Sequence, residues 1–330
     1  MSLIWRFCLN QIRKKSDNHL FYEALERRLS KNHSYWPTVQ QSLRREGGGY
    51  AGELRVDREL SEGRFYDSYL VLKNILVGSE SSYCQIDTLV IYSKFVLILE
   101  VKNIPGILTY DEETHQLTRR RDNGPIEGMG NPVGQLQRSE RMVKHFLAQH
   151  NSSIPVHGMV VFSNPASILE KPFPDCLAVH VSGLYQSLEN LHQLYADQLN
   201  PQFELRDVQQ LFVLKEPKIT PKKPSNLPLN LFAEIRTGIL CPKCIDYKMQ
   251  YRSKLWRCSQ CHYKSATEHL RALQDYRILF SEDLTTNEWM NFCGLNSLVT
   301  TRRLLNESNL EVKGGNKNRK WLIHKFVSPS

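Results

Sequence analysis

Two stretches of the chain, residues 86–92 and 95–102, are almost wholly β-branched or aliphatic, and only Ser93 and Lys94 separate them. Runs of that length with a turn-sized gap predict two antiparallel strands joined as a hairpin. With Ser93 and Lys94 as the turn, Tyr92 pairs with Phe95, and counting outward sets Asp87 opposite Glu100. Cross-strand partners share a face, as do residues two apart on one strand, so Asp87, Glu100 and Lys102 converge at one end of the hairpin. Leu89, Ile91, Val96 and Ile98 lie on the charged side, and Phe95, Leu97, Leu99 and Val101 on the other. A strand pair apolar on both faces is buried on both, so the charges at its end are not ordinary solvated surface.

The neighbouring pattern predicts an α/β arrangement around that hairpin. Residues 50–60 read as a helix opening after the breaker Gly47-Gly48-Gly49, with Leu54 and Val56 as packing residues and Glu53 in the first turn. From the pattern alone, an acid there is better explained by the helix dipole. Asn131 as N-cap and Pro132 as first residue predict a helix to about His150, with Gln135, Arg138 and Met142 on one face. Arg138 suits either a solvated surface charge or a contact to phosphate. Residues 156–162 and 177–181 read as further strands, and 184–199 as a helix.

Beyond residue 214 the character changes. Residues 215–228 hold four prolines and four lysines, the composition of an extended linker. Cys241-Pro242-Lys243-Cys244 and Cys258-Ser259-Gln260-Cys261 then form two C-x-x-C knuckles, the spacing of four thiolates around one structural Zn²⁺ in a zinc ribbon. His262 and His269 are surplus to that set. A redox dithiol needs only one pair, and a disulfide framework suits secreted chains.

Farther on, residues 285–292 and 297–307 read as helices joined by the turn Gly294-Leu295-Asn296, with Thr300, Thr301, Arg302 and Arg303 available to face outward. Residues 310–313 and 319–323 make a basic hairpin, completing a winged-helix outline. In such modules the second helix can enter a DNA groove while hairpin residues, here Lys317, Arg319 and Lys320, reach phosphates. The same outline also serves protein docking.

Charge follows this division. The chain of 330 residues carries a net charge of +9, and residues 215–330 hold 20 Lys and Arg against 10 Asp and Glu, which leaves 1–214 at −1. An asymmetry of that kind suggests that the C-terminal part meets a polyanion, although a basic tail also aids solubility. No apolar run approaches the roughly 18 residues of a membrane span, and no signal-peptide pattern opens the chain. The sequence therefore implies a cytoplasmic protein with no membrane partner. The boundaries expected are a helical extension at 1–45 of unassigned purpose, an α/β domain at 46–214, a linker at 215–230, a zinc ribbon at 231–266 and the winged-helix-like module at 267–330. Oligomeric state is not legible.

Gly52-Glu53, Gln85-Ile86-Asp87, Glu100-Val101-Lys102-Asn103 with Pro105-Gly106, and Asn131-Pro132 leading to Gln135 and Arg138 resemble, in order and spacing, the nuclease-related domain, NERD, of the PD-(D/E)xK nuclease superfamily. The resemblance covers about residues 45–165. It implies a restriction-endonuclease-like mixed sheet flanked by helices, a first helix carrying Glu53, strands carrying Asp87, Glu100 and Lys102, and a later helix carrying Gln135.

From these residues the expected function is metal-dependent hydrolysis of phosphodiester bonds, with DNA favoured over RNA. Asp87, Glu100 and the Val101 carbonyl are the expected ligands of Mg²⁺ or Mn²⁺, hard cations that take oxygen ligands and often only one or two protein carboxylates. Lys102 positions a water or stabilises developing charge, and Glu53 and Gln135 support the site. The competing reading is a protein that recognises nucleic acid or a partner on a nuclease-like fold without cutting.

Overall fold

A computed structural model describes residues 12–63, 68–121, 124–196, 204–217, 223–315 and 318–323. In chain order the first elements are helices α1 (Asp17–Arg28) and α2 (Trp36–Glu62), then strands β1 (Tyr69–Gly78), β2 (Tyr83–Tyr92), β3 (Val96–Lys102), β4 (Gly106–Asp111), β5 (Gln116–Arg120) and β6 (Ile126–Met129). Helix α3 (Pro132–Gln149), strands β7 (Val156–Phe162), β8 (Ser167–Leu169) and β9 (Leu177–His180), and helices α4 (Leu184–Gln193) and α5 (Leu205–Leu214) follow. The remainder holds β10 (Met249–Arg252), β11 (Leu255–Cys258), β12 (Lys264–Ser265), α6 (Glu268–Leu279), β13 (Asp283–Leu284), α7 (Thr286–Cys293), α8 (Leu298–Glu307), β14 (Glu311–Lys313) and β15 (Lys320–Leu322). By internal packing the chain forms two compact units, residues 1–14 with 47–220 and residues 15–46 with 221–330.

The first unit is built on a five-stranded mixed sheet ordered β1-β2-β3-β7-β9, antiparallel from β1 to β3 and parallel from β3 to β9. The expected hairpin is present with its expected register: Tyr92 N–H donates to the Phe95 carbonyl at 2.9 Å, and pairs run from Ile91↔Val96 to Thr88↔Leu99. Its two faces sort as the alternation predicts. Leu89, Ile91, Val96 and Ile98 pack with Val133, Leu136 and Val143 of α3, whereas Val90, Leu97, Leu99 and Val101 pack with Val56 and Leu60 of α2 and Leu188 of α4. Asn131 caps α3 as expected, accepting from Gly134 N–H at 2.9 Å. A second sheet, ordered β6-β5-β4-β8, springs from the end of β3.

One expectation fails at the glycine triplet. Helix α2 runs unbroken through Gly47-Gly48-Gly49, and Glu53 lies well inside it and not in a first turn, so the dipole explanation for that acid falls away. Glycine weakens a helix but does not forbid it, and packing compensates here. The Gly48 carbonyl accepts from Asn103 Nδ2 at 2.5 Å, and a Cβ on Gly52 would stand 2.5 Å from Ser163 Oγ and 2.8 Å from Asn103 Cβ. Close seating of α2 on the ends of β3 and β7 is what the small residues permit. Gly47 and Gly49 face open space. Accordingly Gly49→Ala is expected to stabilise the protein by about 0.5–1 kcal/mol through helix propensity, and Gly52→Ala to destabilise it by about 1 kcal/mol or more through overpacking. Denaturant melts of the two variants measure the opposite signs.

In the second unit, residues 15–46 pack with the C-terminal part: Phe21 and Leu25 of α1, Leu29 that caps its end, and Val39 of α2 share a core with Leu231, Ile235 and Leu279. Arg28, 1% exposed, donates to Asp275 at 2.7 Å and to the carbonyls of Arg236 and Gly238. Helices α6, α7 and α8 with the three-stranded sheet β13-β15-β14 follow the helix, strand, helix, helix, strand, strand order of a winged helix. Thr285 and Glu288 form a capping box on α7, Gly294 ends that helix at φ 69°, and Ser297 caps α8. The cysteine-bearing residues and the helices and strands that follow them are not separate bodies, since Trp256, Trp289 and Trp321 are buried in one continuous core with Cys241 and Cys258. Thr301, expected to face outward, is buried, its hydroxyl donating to the Ser297 carbonyl at 2.8 Å.

Candidate active site and zinc site

Asp87 sits where the sheet stops being regular. Hydrogen-bonded pairs alternate along an antiparallel ladder, so the 92/95 pair makes Ile86 the partner due to receive Val101 N–H. Instead Val101 N–H donates to the Asp87 carboxylate, Oδ2, at 3.1 Å. On the other side the β1–β2 register passes from Lys73↔Thr88 to Ile75↔Ile86, leaving out Asn74, whose φ of 53° turns it out of the strand. Asp87 thus occupies a local opening between β1 and β3.

Glu100, on β3, is 2% exposed, and its Oε1 lies 2.6 Å from Lys102 Nζ. Lys102 also donates to Gln135 Oε1 at 3.0 Å, so α3 holds the lysine against the acid as its sequence position suggested. Glu53 reaches the same region from α2: its charge and those of Asp87 and Glu100 act on one another. The structure therefore brings together all five residues expected at the site. Arg138 is exposed one turn along α3, with its guanidinium beside Gly134, and does not contact the carboxylates.

The electrostatics are those of a centre short of positive charge. Burial pushes Glu53 up to about 7 despite the pull of Arg13, and Asp87 adds to the rise. Burial and then repulsion from Asp87 push Glu100 up to about 7, although Lys102 opposes them. Burial also raises Asp87, against the Val101 N–H bond and Lys102. Among the described residues no hydrogen bond reaches Asp87 Oδ1 or Glu53 Oε1. Hard carboxylate oxygens, desolvated, mutually repelling and with free lone pairs, fit a divalent cation of the Mg²⁺ or Mn²⁺ type. Asp87 and Glu100 would hold it, and the three acids do not close into a cage around one point.

Two residues beside this centre were invisible to sequence patterning. Arg13, from the segment before α1, is fully buried beside this centre, 2.9 Å from Glu53 Oε2 and 2.8 Å from Asp57 Oδ1. Nothing in the basic run Arg13-Lys14-Lys15 distinguishes it from a solvated tail. Asp57, one turn after Glu53, is a second such residue and also pairs with Lys73 at 3.0 Å.

With this arrangement in view, comparison with known families is decisive for one part of the chain: residues 48–163 match the family model of the nuclease-related domain. Those residues are a NERD domain. Glu53, Asp87, Glu100, Lys102 and Gln135 all fall inside the match, while Arg13 precedes it. Neither the curated proteins nor the solved structures gave a match. No helix among the described residues is long and apolar enough to cross a membrane.

Outside the NERD domain, Cys241, Cys244, Cys258 and Cys261 bring their four sulfurs within 4.8 Å of one another, with Cys241 and Cys261 Sγ 3.6 Å apart. A tetrahedron of sulfurs about 2.3 Å from a zinc ion has edges of about 3.8 Å, so the cluster fits that metal. The two knuckles are built alike. The residue after each second cysteine is left-handed, Ile245 at φ 59° and His262 at φ 57°, and each first cysteine N–H is tied to a tyrosine carbonyl, Tyr247 or Tyr263. Backbone N–H groups of Cys261 and then Gln260 favour the thiolate of Cys258, lowering it to about 7. His262 and His269 stand outside the cluster. His269 packs instead, 3% exposed, with Trp256 Nε1 3.3 Å from its Nδ1.

The basic residues expected to grip nucleic acid have varied surroundings. Arg302 is exposed on α8. Arg303 donates to Tyr251 OH at 2.6 Å and lies 3.8 Å from Glu307, and Lys320 pairs with Asp283 at 3.0 Å. Arg319 is half-buried, and Lys317 lies outside the described residues.

Proposed function

We propose that the protein is a metal-dependent nuclease that hydrolyses phosphodiester bonds, with DNA as its favoured substrate. The observation that carries this reading is the convergence of Asp87, Glu100 and Lys102, supported by Glu53 and Gln135, inside a nuclease-related domain. A bound Mg²⁺ would supply charge to polarise the phosphate and lower the pKa of an attacking water. Asp87 and Glu100 would hold that ion, with the Val101 carbonyl as a further ligand. Lys102, kept beside Glu100 by Gln135, stabilises charge developing on the phosphate oxygens or orients the water. Glu53 supports the ligand set from α2.

The second unit supplies the grip in this proposal. Its two segments hold 24 Lys and Arg against 13 Asp and Glu, a net of +11, while the first unit stands at −2. Incubation of the full chain with labelled DNA and RNA, with Mg²⁺ and with EDTA, tests the reaction. Metal-dependent cleavage supports it, and binding without cleavage under all conditions returns the protein to the recognition reading. For the grip, joint substitution of Arg302, Arg303, Lys317, Arg319 and Lys320 is expected to weaken binding and to flatten the slope of log affinity against log salt by up to about 0.9 for each phosphate no longer neutralised. An unchanged slope in a titration of affinity against salt would transfer the winged helix to a protein-docking role.

A further inference from the structure

The geometry points to Arg13 as a positioning residue for the proposed metal site, acting on Glu53 and on the backbone of Asp87 from outside the matched domain. The inference rests on the metal-site reading above. Its basis is the saturation of one buried guanidinium. Nε and Nη2 hold the two oxygens of Asp57 at 2.9 and 2.8 Å. Nη1 meets Glu53 Oε2 at 2.9 Å, Asn74 Oδ1 at 3.0 Å and the Asp87 carbonyl at 2.8 Å. Nη2 also donates to Thr88 Oγ1 at 2.6 Å. All five N–H groups of an arginine are engaged, and the planar fork is what spans helix α2 and strands β1 and β2 at once.

The contacts are selective in a way that suits support of a metal ligand. Arg13 takes the Asp87 carbonyl and leaves its carboxylate, and it takes one oxygen of Glu53 and leaves the other. The ladder on both sides of Asp87 is interrupted, so the sheet alone does not fix this residue, and the Arg13 bond to its carbonyl replaces part of the missing restraint. The arginine is itself clamped. Asn74 Nδ2 donates to the Lys14 carbonyl at 3.0 Å, and Tyr50 OH donates to the Arg13 carbonyl at 3.1 Å. The left-handed Asn74 therefore binds the segment through both ends of its amide.

The test is Mn²⁺ binding to the full, zinc-loaded chain, followed by calorimetry without nucleic acid, together with thermal melting. Asp87→Asn is the reference variant: if wild type binds no Mn²⁺, or binds it equally well with Asp87→Asn, the metal-site reading fails. Where that control locates the ion, Arg13→Lys, which keeps the charge and loses the fork, is expected to weaken Mn²⁺ binding about 10- to 100-fold, the range typical when a group that orients a metal ligand is removed. In a Glu53→Gln background the same substitution should weaken it by a smaller factor, because the two act through one contact. Asn74→Ala loosens the clamp while leaving Arg13 in place, and should weaken binding by a smaller factor than Arg13→Lys. It serves where Arg13→Lys does not fold. Wild-type Mn²⁺ affinity in whichever of these variants folds, whatever its melting temperature, overturns the inference and leaves Arg13 a structural staple.

Discussion

Asp87→Asn and Lys102→Ala are each expected to lower metal-dependent cleavage by about 10²-fold or more, the scale seen when a ligand or charge-stabilising group is removed. Asparagine is the informative replacement at 87 because its amide oxygen can still accept the Val101 N–H that Asp87 Oδ2 accepts at 3.1 Å. Alanine would leave that donor unpaired at a cost of about 1–3 kcal/mol, mixing stability with chemistry. Lys102→Ala removes the cation 2.6 Å from buried Glu100 and releases Gln135. The fold and nucleic-acid affinity should persist in both, since the proposed grip lies in the other unit. Rates within a few-fold of wild type for both, in a preparation that cuts, would sink the assignment.

The second large effect concerns zinc. Elemental analysis of the purified protein is expected to find one zinc per chain, and Cys244→Ser with Cys261→Ser to remove it. Structural zinc contributes about 10–16 kcal/mol of apparent binding energy in zinc-finger peptides, on the scale of a domain's whole net stability of about 5–15 kcal/mol. Because Trp256, Cys241 and Cys258 share their core with Trp289 of α7 and Trp321 of β15, the damage should spread beyond the ribbon. Melting should show the transition of residues 15–46 and 221–330 shifted or absent, with that of the NERD unit retained. A zinc-free chain with both transitions intact contradicts the cluster's structural role.

Most of the geometry of the proposed site was legible because it is local. The hairpin register follows from a two-residue turn and from alternation, so Asp87, Glu100 and Lys102 could be placed together by counting. The Asn131-Pro132 start placed Gln135, and the cysteine spacing placed the four-thiol cluster. What escaped is non-local or backed by tertiary packing. The triple glycine reads as a breaker until Asn103 and Ser163 are seen pressing on α2. Arg13 is more than forty residues from most of its partners. Strand β1, the second sheet and α5 had no distinctive local pattern either.

Residues 15–46 bring a consequence in time. Phe21, Leu25 and Leu29 find their partners in Leu231, Ile235 and Leu279, some two hundred residues downstream. During synthesis at about 5–20 residues per second, the apolar side of α1 has to wait tens of seconds for those partners to be made. The α/β unit lies between them and can condense first, because its strands and helices are contiguous from residue 47 to 220. From residue 15 onward the chain therefore begins one unit, completes the other, and returns to finish the one it began. A ribosome-stalled chain ending at residue 214 should expose that helix to chaperones and proteases, whatever the state of its nuclease-related domain.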